Sequence, residues 1–170
     1  METYQVNGLW IAKINNRISG GHSDKNDAVY AVLAAEIQGL GSLTGDEFIP
    51  PDLNTIRVWA LSVLNQLRGD QREAIGLTEA RWQDLAYTGK ALEAQRWQSA
   101  PETQFGYARE AAARGISDAQ MAALILGQWA AMQEASDAIE AAYVVAKAAI
   151  ETAQTVEEIE MVLAELQDTQ

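Results

Sequence analysis

From Asp118 to Thr152 the chain runs some 35 residues with no proline, one glycine (Gly127) and twelve alanines. Alanine is the strongest helix former and proline and glycine the weakest, so one long helix is expected, and any fold of this chain has to accommodate it. Ser117 and Gln120 have the spacing of a capping box just ahead of it, and Gly115 can supply a left-handed stop for whatever helix precedes. Within the stretch Ile125, Met132, Ile139 and Ala146 fall seven apart, with Ala135, Ala142 and Ala149 between them. That is a heptad seam with small residues at alternate sites, suited to close approach by a helix of the same bundle or of another copy.

The remaining signals are also helical after residue 23. Asp24 and Asp27 start a helix to about Gln38, with Val29, Val32, Leu33, Ile37 and Leu40 spaced three and four apart. Asp52 can cap a second, about Leu53 to Arg68, with Ile56, Trp59, Ala60, Val63, Leu64 and Leu67 on one stripe. Thr78 can cap a third, Glu79 to about Gln98. Ser99, Pro101 and Glu102 read as a capping box for a fourth, ending near Arg114, and Thr155 with Glu158 opens a last one to about Leu166. Gly39 to Pro51 reads as a loop and Gly69 to Gly76 as a mostly polar link. Ahead of all these, Leu9, Trp10, Ile11 and Ile14 cluster between Asn7-Gly8 and Asn15-Asn16. They read as an apolar arm, a short strand or a single helical turn, that docks on its own bundle or on another chain.

The expected fold is therefore all-α: a multi-helix bundle with a long Ala-rich C-terminal helix and a short apolar N-terminal arm. Its expected parts are the arm (1–23), a helical domain (24–98) and an acidic helical segment (99–170). A chain of 170 residues with 48% hydrophobic residues can bury a core without a metal or disulfide staple.

The formal net charge of -12 disfavours phosphate backbones and anionic lipid as direct partners. The charge is uneven. Residues 1–117 hold 14 acidic and 11 basic side chains, whereas residues 118–170 hold 10 acidic and one basic, Lys147. An acidic face beside an alanine seam is first a solubilising device and second a docking surface for a basic patch. Neither nucleic acid nor membrane is expected as a partner. The N-terminus lacks the basic and apolar pattern of a signal peptide, and no apolar run approaches the roughly 20 residues of a membrane span.

Catalytic readings find little support. With no Cys and one His (His22), thiol catalysis, disulfides, Cys-type zinc sites and two-His metal motifs are excluded. Asp46-Glu47 lacks the alternating oxygen ligands of an EF-hand, and Gly39 to Gly45 lacks the strand, following helix and Lys of a phosphate loop. Ser23 and Asp24 beside His22 are better explained as helix caps than as parts of a triad. No enzyme activity, cofactor or metal is expected. Of the five tryptophans, Trp10 and Trp97 lie near segment ends where a partner could cover them. The candidate partner-binding residues are thus Leu9, Trp10, Ile11 and Ile14 of the arm, Trp97, and Ile125, Met132 and Ile139 of the seam.

Glu110-Ala-Ala-Ala-Arg-Gly-Ile-Ser-Asp-Ala-Gln-Met-Ala-Ala-Leu-Ile-Leu-Gly, then Trp129, Ala141 to Ile150 and Thr155-Val-Glu-Glu-Ile-Glu, resembles a helical segment of small tail-fibre-associated proteins of tailed phages. The resemblance spans Trp97 to Leu166, about two fifths of the chain; residues 1–96 carry none of it. It implies a non-catalytic tail-fibre chaperone or accessory protein that binds a fibre subunit, acting in the host cytoplasm during assembly. The alternative is a structural component of the virion tail, baseplate or head-tail adaptor that forms homo-oligomers through its long helix.

Overall fold

In the computed structural model, which describes residues 1–44, 47–76 and 81–168, Asn7 and Gly8 both adopt left-handed conformations, φ 51° and 81°. That is the geometry of the two-residue turn whose twist matches paired strands. It joins β1 (Glu2–Val6) to β2 (Leu9–Ile14), with Val6 opposite Leu9 and Tyr4 opposite Ile11. A second turn at Asn15-Asn16, with Asn15 at φ 49°, lays β3 (Arg17–Ile18) along the other side of β2. The result is an antiparallel sheet in the order β1-β2-β3. Past Ser19 the ladder slips by one residue, because Lys13 faces Ile18 but Trp10 bridges His22. The Ser19 hydroxyl fills the gap by accepting the Ala12 N–H at 2.8 Å.

The all-α expectation is overturned by this sheet. Its arm residues obey a period of two rather than 3.6: Trp10, Ala12 and Ile14 turn toward α1 (Lys25–Gly39), and Leu9 and Ile11 turn away. Ala12 and Ile14 become fully buried, which a lone helical turn could not achieve for both. The Gly39 to Pro51 segment, expected as a loop, also carries β structure: β4 (Ser42–Thr44) pairs antiparallel with β5 (Glu47–Ile49). Gly41 permits this pairing, since a Cβ there would collide with the Phe48 ring and the Ile49 carbonyl. Gly45 and Asp46, raised above as phosphate-loop and cation candidates, lie outside the described residues, as does the Thr78 cap.

The helices follow their caps. The Asp24 carboxylate accepts the Asn26 N–H at the start of α1, and Asp52 accepts the Thr55 N–H at 2.7 Å at the start of α2 (Leu53–Ala74). α2 continues through Gly69 and stops at Gly76, φ 84°, so the polar link belongs partly to the helix. A glycine ends a helix only where its backbone turns left-handed, and Gly69 does not. α3 (Arg81–Ser99) ends at the Ser99 that the sequence offers as a cap. Its hydroxyl instead donates to the Gln95 carbonyl, and the next helix, α4 (Ala108–Ala113), starts nine residues later and is only 6 residues long. Burial of Phe105 in a core cluster with Ala94 and Met121 requires the intervening chain to turn, which overrides the capping signal. α5 (Asp118–Thr152) and α6 (Val156–Asp168) form as read, with both capping boxes closed: Gln120 N–H to Ser117 Oγ at 3.2 Å and Glu158 N–H to Thr155 Oγ1 at 3.2 Å. Between α4 and α5, Gly115 at φ 67° completes the stop, with the Ile116 N–H reaching back to the Ala111 carbonyl.

By its contacts the chain divides into two units. Unit 1 is Met1–Arg68 with Ala141–Gln170, and unit 2 is Gly69–Glu140. In unit 1 the sheet's inner face, α1, α2, the end of α5 and α6 enclose one core around Leu33, Ile56, Leu64, Ile150 and Leu163. The Tyr143 hydroxyl donates to Asn65 at 2.9 Å and the Arg68 guanidinium lies 4.6 Å from the Tyr143 ring centroid. Arg57 donates to the Ala153 carbonyl at the C-terminal end of α5, where a cation complements the helix dipole.

Candidate functional site

Among the described residues, four exposed large apolar side chains are gathered on one face by the alternation of the N-terminal sheet. Because Val6 faces Leu9 and Tyr4 faces Ile11, these four side chains share the face directed away from α1. Ile18, opposite Lys13, joins them. Tyr4 is 40% exposed, Val6 46%, Leu9 44% and Ile18 59%, with Ile11 half-buried at their centre. Glu2 and Lys13, 3.8 Å apart, close one end of the patch and neutralise each other. Leu9 is also packed over Gly21, where a Cβ would approach its side chain to 2.9 Å, so the patch is tied to the segment that follows β3.

The four arm candidates therefore separate. Leu9 and Ile11 belong to the outer face, whereas Ile14 is buried and Trp10 is half-buried against the core with the Lys25 ammonium 5.9 Å from its ring centroid. Tyr4, Val6 and Ile18 were missed by sequence reasoning. The signal that finds them is Asn-Gly flanked by alternating apolar residues, which specifies a hairpin and hence one face for positions 4, 6, 9 and 11.

The other candidates lie elsewhere. Trp97 is half-buried in unit 2, its ring centroid 5.1 Å from that of Phe105 and its indole N–H donating to the Thr103 carbonyl at 3.2 Å. Ile125 is buried in the same core. Met132 and Ile139 are half-buried on α5, so the heptad seam does not form one open surface.

Unit 2 also holds a cleft of about 320 Å³, with Met121, Ile125, Trp129 and Met132 of α5 on one side and Lys90, Glu110 and Arg114 at its polar end. Its charges satisfy one another: Glu110 accepts from Lys90 at 3.1 Å and from Arg114 at 2.8 Å, and Lys90 lies 5.2 Å from the Tyr107 ring centroid. These bonds, Lys90 first, hold the Glu110 carboxyl below its usual range. Nearby, Glu93 takes two bonds of 2.7 Å from Arg96 and one of 2.8 Å from the Gly106 N–H, and its carboxyl is lowered to about 2 by Arg96 first and Gly106 second. Each of these carboxylates is engaged by a cation, and these charge-assisted bonds brace the local fold. Among the described residues no cluster of three or more His, Asp or Glu could hold a metal ion, and no helix is long and apolar enough to cross a membrane.

Compared with known protein families, with curated proteins and with solved structures, the chain matches none.

Proposed function

We propose that the chain is a non-catalytic phage tail-fibre chaperone or accessory protein that holds a fibre subunit against the outer face of its N-terminal sheet. The observation that carries the binding role is that face: Tyr4, Val6, Leu9 and Ile18 expose apolar surface together on one side of one sheet, where a partner can cover them. The fibre subunit as partner rests on the resemblance of residues 97–166. The phage setting places the protein in the host cytoplasm during assembly. The test is coexpression with a tail-fibre subunit, with and without the double change Val6→Thr and Ile18→Thr, which keeps β-branched side chains but removes apolar surface. Capture of the fibre subunit falls at least about tenfold in the variant, as expected when apolar contacts at both ends of the patch are lost together. Fibre trimers that are equally soluble and equally assembled without the protein sink this reading.

A second reading, a structural virion component oligomerising through α5, is favoured by Val144 and Val145, which are 61% and 70% exposed on that helix. Mass spectrometry of purified particles separates the two. A stoichiometric copy number in the tail supports the structural component, and absence supports the chaperone.

A further inference from the structure

Backbone polar groups alternate sides along a strand, so the bonds on one side of β2 fix those on the other. Trp10 exchanges both its N–H and its C=O with His22, at 2.7 and 2.9 Å, and Ala12 accepts the Ser19 N–H. Leu9, Ile11 and Lys13 therefore direct their groups at Val6, Tyr4 and Glu2 of β1. Thr3 and Gln5 consequently turn theirs to the outer edge, where no described residue meets them.

We propose that this edge pairs with the same edge of a second copy of the chain, antiparallel about Tyr4, merging two three-stranded sheets into one of six strands. β1 lacks the proline, the lysine and the bulge that keep many edges from pairing, and its one charge, Glu2, is paired with Lys13 on the neighbouring strand. It is also self-complementary. With Tyr4 opposite Tyr4, Thr3 of each copy faces Gln5 of the other, so the two residues with free backbone groups satisfy one another in four hydrogen bonds. Glu2 then falls opposite Val6, and no like charges meet across the strands.

Charge selects a second copy over other surfaces of the same chain. In a chain of net charge -12, residues 1–23 hold one acidic side chain, Glu2, against two basic, Lys13 and Arg17. This is where two copies approach with little acid-acid repulsion, whereas residues 118–170, with ten acids and one base, repel their own kind. The proposal is independent of the fibre subunit. Edge pairing leaves the apolar outer face uncovered and makes it continuous across both copies.

Sedimentation velocity of the full chain over a concentration series tests it. The wild type is expected to reach twice the 18.5 kDa chain mass at high micromolar concentration. Gln5→Pro removes an outward N–H without touching the β1-β2 ladder, so circular dichroism stays the same and the dimer dissociation constant rises at least about tenfold. Because the chain has no cysteine, Tyr4→Cys gives a single thiol. Directly opposed residues of a pair without mutual hydrogen bonds have Cα atoms about 4.5 Å apart, within disulfide reach, so mild oxidation cross-links Tyr4→Cys and leaves Ile18→Cys on β3 monomeric. If Gln5→Pro fails to fold, the two cysteine variants decide. A wild type that stays at 18.5 kDa, a dimer that survives folded Gln5→Pro, or cross-linking at position 18 as fast as at position 4 overturns the proposal.

Discussion

Among the described residues, the core of unit 1 joins 18 buried apolar side chains from elements far apart in sequence, whereas the core cluster of unit 2 joins six, three of them alanine. Unit 2 holds its turns instead with charge-assisted bonds: Glu93 to Arg96 and the Gly106 N–H, Glu110 to Lys90 and Arg114, and Glu140 to Arg72 at 2.8 Å. Apolar burial carries no titrating group, while hydrogen bonds to charged groups depend on pH and are screened by salt. The two halves of one chain should therefore fail under different challenges.

The largest expected contrast comes from cavities. Phe105→Ala removes a ring buried in the unit 2 cluster and should cost about 4 kcal/mol, enough to unfold so small a core. Leu33→Ala in unit 1 should cost about 3 kcal/mol, with the surrounding core able to share the loss. Hydrogen exchange reads both. Phe105→Ala should expose the amides of α4 and the start of α5 while those of α1 stay protected, and equal loss in both units would break the comparison.

Acid provides the next contrast. Glu93 has its folded carboxyl lowered to about 2 by Arg96 and Gly106, so its contribution is complete above the ordinary carboxylate range and is lost as pH falls from about 4.5 toward about 2. Glu110 shifts in the same direction. Glu160 on α6 in unit 1 is pushed up by burial and then by Glu157; protonation therefore stabilises the fold as pH drops through its raised value. Asp52, lowered by its cap on Thr55, loses its share on the acid side, so the comparison is read at α6 rather than at α2. Protection factors near Glu93 and α4 should fall as pH drops from about 4.5 toward about 2 while those of residues 156–164 hold, and Glu93→Gln should flatten the fall. Protection that drops first in α6 contradicts this assignment.

The smallest effect separates a formed cap from an apparent one. Ser117→Ala and Thr155→Ala each remove a closed capping box and should cost about 1 kcal/mol. Ser99→Ala should change stability by less than about 0.5 kcal/mol, because that hydroxyl caps nothing. Thermal melts of the three variants make the comparison, and a Ser99→Ala loss as large as the other two would restore the helix start that the structure lacks.

Much of the helical frame was legible because its signals are local. Asp24, Asp52, Ser117, Gly115 and Thr155 act on backbone groups within a few residues, and α5 ends where its alanine run does. Ser99 shows where locality fails: Phe105 lies far enough along the chain that its burial is a tertiary fact, and it decided the path. The sheet failed for a different reason. Leu9, Trp10, Ile11 and Ile14 look like one apolar cluster in either period, and only the turn geometry of Asn7-Gly8 and Asn15 splits them into an inner and an outer pair. For the candidate site, the apolar character of Leu9 and Ile11 was readable, but Tyr4, Val6 and Ile18 become their neighbours only through strand register.

The discontinuity of unit 1 sets an order of events during synthesis. Residues 69–140 leave the ribosome as one stretch and can fold as they appear, but Ile150, Ile159 and Leu163, which complete the core around α1 and α2, are translated after them. Until then the inner surfaces of the first helices stay wet, and the nascent chain spends that interval with its largest apolar faces open to whatever holds nascent proteins apart.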